Sequence, residues 1–170
     1  MIAPGIEPLV LGLGGNVGGE LAITGRFQRA RDALAALGEL RTAALYRSAP
    51  IGPAQPPYLN TALRLRVTDL QPAELLAVVR ELESLLGRDR STEVRWGPRT
   101  FDLDVLVWGA RIVATSELEV PHPRLHERRF ALAPLVDLLG ADFEIPRVGP
   151  AGAVLARTRD QPLEYIAETW

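Results

Sequence analysis

Neither cysteine nor lysine occurs in this sequence. Without cysteine, disulfides, thiolate nucleophiles and cysteine-ligated zinc or iron–sulfur sites are excluded. Without lysine, Schiff-base chemistry, a lysine general base and the lysine of a Walker-type phosphate loop are excluded as well. All 19 basic residues are arginines, so any phosphate handled here is gripped by guanidinium forks. A compositional bias of the genome would also remove lysine; the chemical exclusion is the same. Excess charge is missing too. A net charge of −2 gives no global attraction to nucleic acid or an anionic membrane. No apolar run approaches the roughly 18 residues that span a bilayer. The opening stretch "MIAPGIEPLVLGLGGN" has neither a basic start nor a long apolar core, which argues against a secretory signal. The expectation is a cytoplasmic protein without a membrane partner. At 170 residues and 47% hydrophobic, the chain suits one domain, residues 1–170, with about two-thirds of its unfolded surface buried.

Periodicity orders the chain. "PLVLGLGG" reads as a strand and turn. Leu21, Phe27, Ala30, Leu34 and Leu37 recur at helical spacing from Glu20 to Leu37, with Gly38 as a C-terminal cap. "ELRTAALYRSA" reads as one strand, and "PIGPAQPP" as a stiff connection. In "YLNTALRLRV", Leu59, Thr61, Leu63 and Leu65 face one way and Asn60, Ala62, Arg64 and Arg66 the other. Pro72 opens a helix whose stripe is Leu75, Leu76, Val79, Leu82 and Leu86, ended by Gly87. An arginine-rich loop, a strand, a hairpin return at "GARIVA", a proline segment and a short helix follow. The order β-α-β-β-α-β predicts an α+β fold. The expected arrangement is a split βαβ antiparallel sheet with helices packed on one side, plus an extra hairpin and a C-terminal helical segment.

The strand "RTFDLDVLVWG" carries the chemistry. Alternation puts Asp102 and Asp104 on one face, with Phe101, Leu103, Val105 and Val107 on the other. Two carboxylates near a buried sheet repel each other and are costly to desolvate. A divalent cation removes both problems, and oxygen-only ligands suit Mg²⁺ bridging to phosphates. The pair alone is better explained by water or arginine partners. However, Arg88, Arg90, Arg95 and Arg99 lie within twelve residues just before it, and cations with arginines around a polyphosphate are the recurring parts of phosphoryl transfer.

His122 and His126 are the only histidines. Flanking prolines at 121 and 123 oppose a helical zinc pair. His122 reads either as a phosphate or leaving-group contact or as a capping residue, and His126 as surface. Tyr58, Trp96 and Phe130 lie in polar or Gly/Pro-rich stretches, where rings serve either packing or stacking on a flat ligand. Asn60 is placed to read such a ligand's edge. The rivals are an RNA-binding split βαβ module, a two-metal transferase with another acceptor, and a non-catalytic relative. The first needs aromatic platforms and a basic face.

Taken together, "LGLGGNVG", "YRSAPIGPAQPPYLNTAL", "LESLLGRDR", "WGPRTFDLDVLVWG" and "VPHPRLHERRFALAPL" resemble the 6-hydroxymethyl-7,8-dihydropterin pyrophosphokinase family over nearly all of residues 8 to 140. The resemblance implies a ferredoxin-like α+β fold, in agreement with the element order, and a single catalytic domain that moves pyrophosphate from ATP, the co-substrate, to the pterin's hydroxymethyl group and releases AMP in folate biosynthesis. It implies two Mg²⁺ ions on Asp102 and Asp104, with Arg88 and Arg99 acting during transfer from mobile loops. It places Glu83, Arg88, Arg90, Trp96, Arg99, Val105, His122 and Arg128 at ATP. Ser48, Pro50, Ile51, Gly52, Tyr58, Asn60, Trp96 and Phe130 fall at the pterin, with Tyr58 and Phe130 sandwiching the ring. Small-molecule substrates and a monomer, without nucleic acid, are the implied partners. Gly14-Gly15-Asn16 departs from the usual Gly-Ser-Asn, which would loosen a turn, and Arg80 stands where some relatives carry glutamine. The segment "DRSTEVR" is one residue longer than in some members, so Arg90 and Arg95 are less firmly placed than Arg88 and Arg99.

Overall fold

The computed structural model describes residues 7–170; the first six residues of the opening stretch lie outside the described residues. In chain order come β1 (Glu7–Gly15), α1 (Glu20–Leu34), β2 (Glu39–Thr42), β3 (Leu45–Ser48), β4 (Tyr58–Val67), α2 (Pro72–Leu85) and β5 (Asp102–Trp108). The short strands β6 (Val113–Ala114) and β7 (Glu119–Val120) precede α3 (Arg129–Leu139). Then come β8 (Glu144–Ile145), β9 (Gly149–Pro150), α4 (Ala151–Ala156) and β10 (Leu163–Ala167). The main sheet is antiparallel, ordered β10-β3-β4-β1-β5, with β2 also paired to β4. With β2 and β3 taken as one interrupted strand, the order fourth–first–third–second is the ferredoxin-like arrangement that the resemblance implies and the split βαβ pattern allows.

Alternation along the central β1 builds two cores. Leu9, Leu11 and Leu13 pack with Phe27 of α1 and Leu75 of α2 on one face. Val10 points the other way, into a cluster with Leu132 and Leu135 of α3 and Val154 of α4. Helices therefore cover both faces, not one, because the weakly periodic C-terminal third supplies the second layer. The α1 stripe is Ile23, Phe27, Ala30 and Leu34; Leu21, expected in it, is 91% exposed because it falls off that register. Gly38 is not a left-handed cap. Its backbone is extended, and a Cβ there would lie 2.2 Å from the Arg66 carbonyl oxygen, so the close approach to β4 demands glycine. Pro72 does open α2, behind a capping box in which the Gln71 N–H donates to Glu74 Oε2 at 2.8 Å.

Two bulges correct the simple strand readings. The expected strand over 39–49 is interrupted: the register shifts from Thr42↔Leu63 to Tyr46↔Asn60, one extra residue on this side. Within the break, the Ala43 carbonyl accepts from Thr61 Oγ1 (3.2 Å) and Trp170 Nε1 (2.9 Å). The C-terminal tail is thereby docked, with β10 paired to β3 and the Trp170 ring edge-on to Phe27. In β5 the register shifts between Leu11↔Val105 and Val10↔Val107. Leu106 and Val107 thus both enter the second core, against the expectation that Val107 shares a face with Val105, and Trp108 returns to the first. "GARIVA" does not return along β5. Gly109, with φ 51°, turns the chain away, and β6 pairs onward with β7.

Candidate active site

Glycine makes the floor. In β1, Gly12 lies opposite Ala62 and Asp104, and Gly14 opposite Asn60 and Asp102, in the two flanking strands. With no side chain between them, the sheet carries a trough walled by polar groups of β4 on one side and the β5 carboxylates on the other. This opens into a cavity of about 200 Å³ whose lining includes Ser48, Ile51, Tyr58, Asn60, Trp96, Arg99, Asp102, Asp104, Arg128 and Phe130. A second cavity of about 330 Å³ is bordered by Glu83, Arg88, Arg90, Val105, His122 and Asp104. Asp104 borders both. The chain thus offers two adjoining chambers joined at its acidic strand.

The two carboxylates differ. Burial, against the nearby Arg88 charge, pushes the Asp102 pKa up to about 6, with Asp104 adding repulsion. Asp102 Oδ1 is 2.8 Å from Arg88 Nη1, yet the donor is not aligned, so this buried oxygen has no hydrogen-bond partner. Asp104 is more open, with Arg128 Nη1 at 3.7 Å and His122 Nε2 at 4.0 Å from its Oδ2. A partly buried, like-charged, oxygen-only pair with an orphaned lone pair fits a hard divalent cation.

Arg88 is the hub of the polar cluster. It donates to Glu83 Oε1 (2.5 Å), to Glu93 Oε1 (2.5 Å) and to Glu93 Oε2 (3.2 Å). Burial alone would lower its pKa, but the Glu93 hydrogen bond and the Asp102, Glu83 and Glu93 charges hold it raised. Glu83, 2% exposed, also accepts from the Leu103 N–H (3.0 Å) and Arg90 Nη2 (2.5 Å). It therefore ties α2 to β5 and to the loop, while still bordering the second chamber.

His122 is delivered by the β5 bulge, since its N–H donates to the Leu106 carbonyl at 2.9 Å. Its Nδ1 accepts from the Arg124 N–H (3.1 Å), which assigns the proton to Nε2, on the Asp104 side. Burial lowers its pKa against the pull of Asp104, which favours the neutral ring with its Nε2–H toward the chamber. Arg80 instead pairs with Glu117 at the surface (2.8 Å), and Arg95 lies over the Trp96 ring.

On the other side, Asn60 Nδ2 donates to Ser48 Oγ at 2.8 Å, which leaves the amide oxygen for a ligand N–H. The Tyr58 hydroxyl donates to the Gly97 carbonyl (3.0 Å). Pro50 and Gly52 are not among the cavity-lining residues. Gly52 (φ 102°) instead lets the two loops touch, because a Cβ there would sit 2.7 Å from Trp96 Cβ. Gly15 is inside β1 and a side chain would lie 2.8 Å from the Thr100 carbonyl, so no loosened turn results from the missing serine.

The family model for 7,8-dihydro-6-hydroxymethylpterin-pyrophosphokinase matches residues 10–140. The chain belongs to this family. A Synechocystis 2-amino-4-hydroxy-6-hydroxymethyldihydropteridine pyrophosphokinase is 39% identical over 143 residues, 82% of this chain and 70% of its own length. The Bacillus subtilis protein of the same name is 44% identical over 105 residues, 61% of each chain. A folate synthesis bifunctional protein of Arabidopsis thaliana is 40% identical over 142 residues; 80% of this chain matches but only 28% of the plant protein. The crystal structure of Plasmodium falciparum HPPK-DHPS with pteroate superposes with a TM-score of 0.69 at 11% identity, covering 89% of this chain and 44% of that one. That likeness shows the fold.

Within this pyrophosphokinase-family chain, sequence reasoning passed over Glu93 and Gln55 and left Asn16 without a role. Asn16 Nδ2 donates to Gln55 Oε1 and the Pro56 carbonyl (2.9 Å each), and its Oδ1 accepts from the Arg99 N–H (2.8 Å). Gln55 Nε2 in turn donates to the Trp96 carbonyl at 2.7 Å. A lone glutamate among four arginines, and a buried asparagine ending a glycine strand, were the available signals.

Proposed function

We propose that this chain transfers pyrophosphate from ATP to the hydroxymethyl group of 6-hydroxymethyl-7,8-dihydropterin, releasing AMP, as a step of folate biosynthesis. It works as a single catalytic domain and a monomer in the cytoplasm. The observation that carries the reading is the position of Asp104 at the junction of two chambers. One is lined by rings and an amide, the other by arginines and a neutral histidine.

The aromatic chamber takes the acceptor. Tyr58 and Phe130 flank the flat ring, while the Asn60 amide oxygen and Ser48 read its polar edge. Trp96 borders it beside Arg99, with Ile51 lining it from the proline loop that Pro50 and Gly52 shape. The nucleotide takes the second chamber. Val105 packs its apolar part, Glu83 fixes Arg88 and Arg90, and the His122 Nε2–H donates to a phosphate oxygen. Arg128 reaches the junction from the N-terminal end of α3. Asp102 and Asp104 would hold two Mg²⁺ ions, which when bound supply positive charge against the ATP phosphates.

The acceptor hydroxyl oxygen forms a bond to the β-phosphorus and loses its proton. The bond from that phosphorus to the oxygen bridging to the α-phosphate breaks, and AMP departs with the electron pair. Arg88 and Arg99 stabilise charge on the moving group, which positioning and electrostatics can do without a covalent intermediate. The test is direct: ATP, Mg²⁺ and the hydroxymethyl pterin should yield AMP and pterin diphosphate in equal amounts. Formation of ADP, or nucleotide turnover indifferent to the pterin, contradicts the reading.

A further inference from the structure

Resting on that transfer reading, we infer that Glu93 is an internal stand-in for phosphate. It holds Arg88 and Arg99 while the nucleotide is absent and releases them to the incoming polyphosphate. Three acids surround Arg88. Glu83 belongs to α2, is 2% exposed, and accepts a backbone N–H from β5. Asp102 belongs to β5 itself. Glu93 alone sits on an irregular loop, just after a turn in which Asp89 accepts from the Ser91 N–H and hydroxyl. It alone can leave without disturbing a helix or strand.

Its contacts copy those of a phosphate. The two carboxylate oxygens take the Nε and Nη2 edge of Arg88 as a fork (2.5 and 3.2 Å), the geometry by which arginine grips phosphate oxygens. Oε2 also lies 2.5 Å from Arg99 Nη1, but that donor is misaligned and stays without a hydrogen-bond partner although buried. One carboxylate thus forks one guanidinium and meets the second only as a poorly aligned ion pair. A polyphosphate, with more oxygens, satisfies both. If Glu93 stayed in place, its charge would stand against those of the phosphates at the same two arginines.

The full-length protein tests this by calorimetric titration with the Mg²⁺ complex of α,β-methylene ATP, and separately with AMP, which lacks the β- and γ-phosphates. Glu93→Gln should bind the ATP analogue about tenfold more tightly, the scale of losing one charged hydrogen-bond competitor, with AMP affinity unchanged. Glu93→Ala should show the same gain. Analogue affinity that is equal or weaker in both variants makes Glu93 a permanent brace and overturns the inference while leaving the transfer reading intact. A wild-type protein that binds no analogue at all overturns both.

Discussion

Asp102 and Asp104 share a strand face yet have separate characters, and the difference comes from what surrounds each side chain. Asp102 is drawn under Arg88 and Arg99, and burial raises its pKa to about 6, above the ordinary value of 3.8. A folded-state pKa above the unfolded one means that the folded chain holds the proton longer. The Asp102 contribution to the stability of the metal-free protein therefore falls as pH rises from about 4 to about 6. Asp102→Asn escapes that loss. In EDTA at pH 7.5 it should be more stable than wild type by about 1–2 kcal/mol, after discounting for the exposed part of the side chain, with the gap closing below about pH 4. Urea unfolding across that range checks it, and a variant less stable at pH 7.5 contradicts the assignment. At this scale the pair and its arginines were legible because charge in an apolar strand is conspicuous. Glu83 and Glu93 were harder to place. Whether a helix or loop glutamate is buried depends on partners that no local pattern reveals.

Among the elements, β1 matters most, because its glycines at 12 and 14 set the depth of the trough. A Cβ at Gly14 would meet Asn60 Oδ1 at an ordinary 3.5 Å, so a larger residue fits the strand but fills the trough proposed for the acceptor. Gly14→Val should keep the thermal midpoint within a few degrees. It should raise the KM for the pterin at least about tenfold and leave ATP-analogue affinity unchanged, as steady-state kinetics and titration would show. Equal losses for both substrates would place the acceptor elsewhere. The strands and helices themselves were largely legible from period. Two of the departures are bulges: Ala43 interrupts one strand, and Leu106 turns Val107 over. A single inserted residue leaves the hydrophobic pattern almost unchanged while reversing every later side chain. The second bulge also places His122, whose N–H donates to the Leu106 carbonyl.

For the whole molecule, the layer on the second face is what turns a sheet into a site. α3 brings Arg128 and Phe130 over the trough, and the sequence signal for that layer was weak because the C-terminal elements are short. Among the described residues no helix is long and apolar enough to cross a membrane. The proline loop and arginine loop are already joined through Asn16, Gln55 and Tyr58. Their amides should gain further hydrogen-exchange protection with an ATP analogue plus pterin, whereas the Arg99 amide is protected beforehand; unchanged exchange over 88–97 would rule out closure. The acidic pair is proposed to carry the cations beneath the nucleotide. Paramagnetic counting of Mn²⁺ bound in the presence of α,β-methylene ATP measures this directly. Wild type should hold two ions per chain, and Asp104→Ala at most one, with turnover reduced at least about 100-fold. Two ions still bound by the alanine variant would contradict the account.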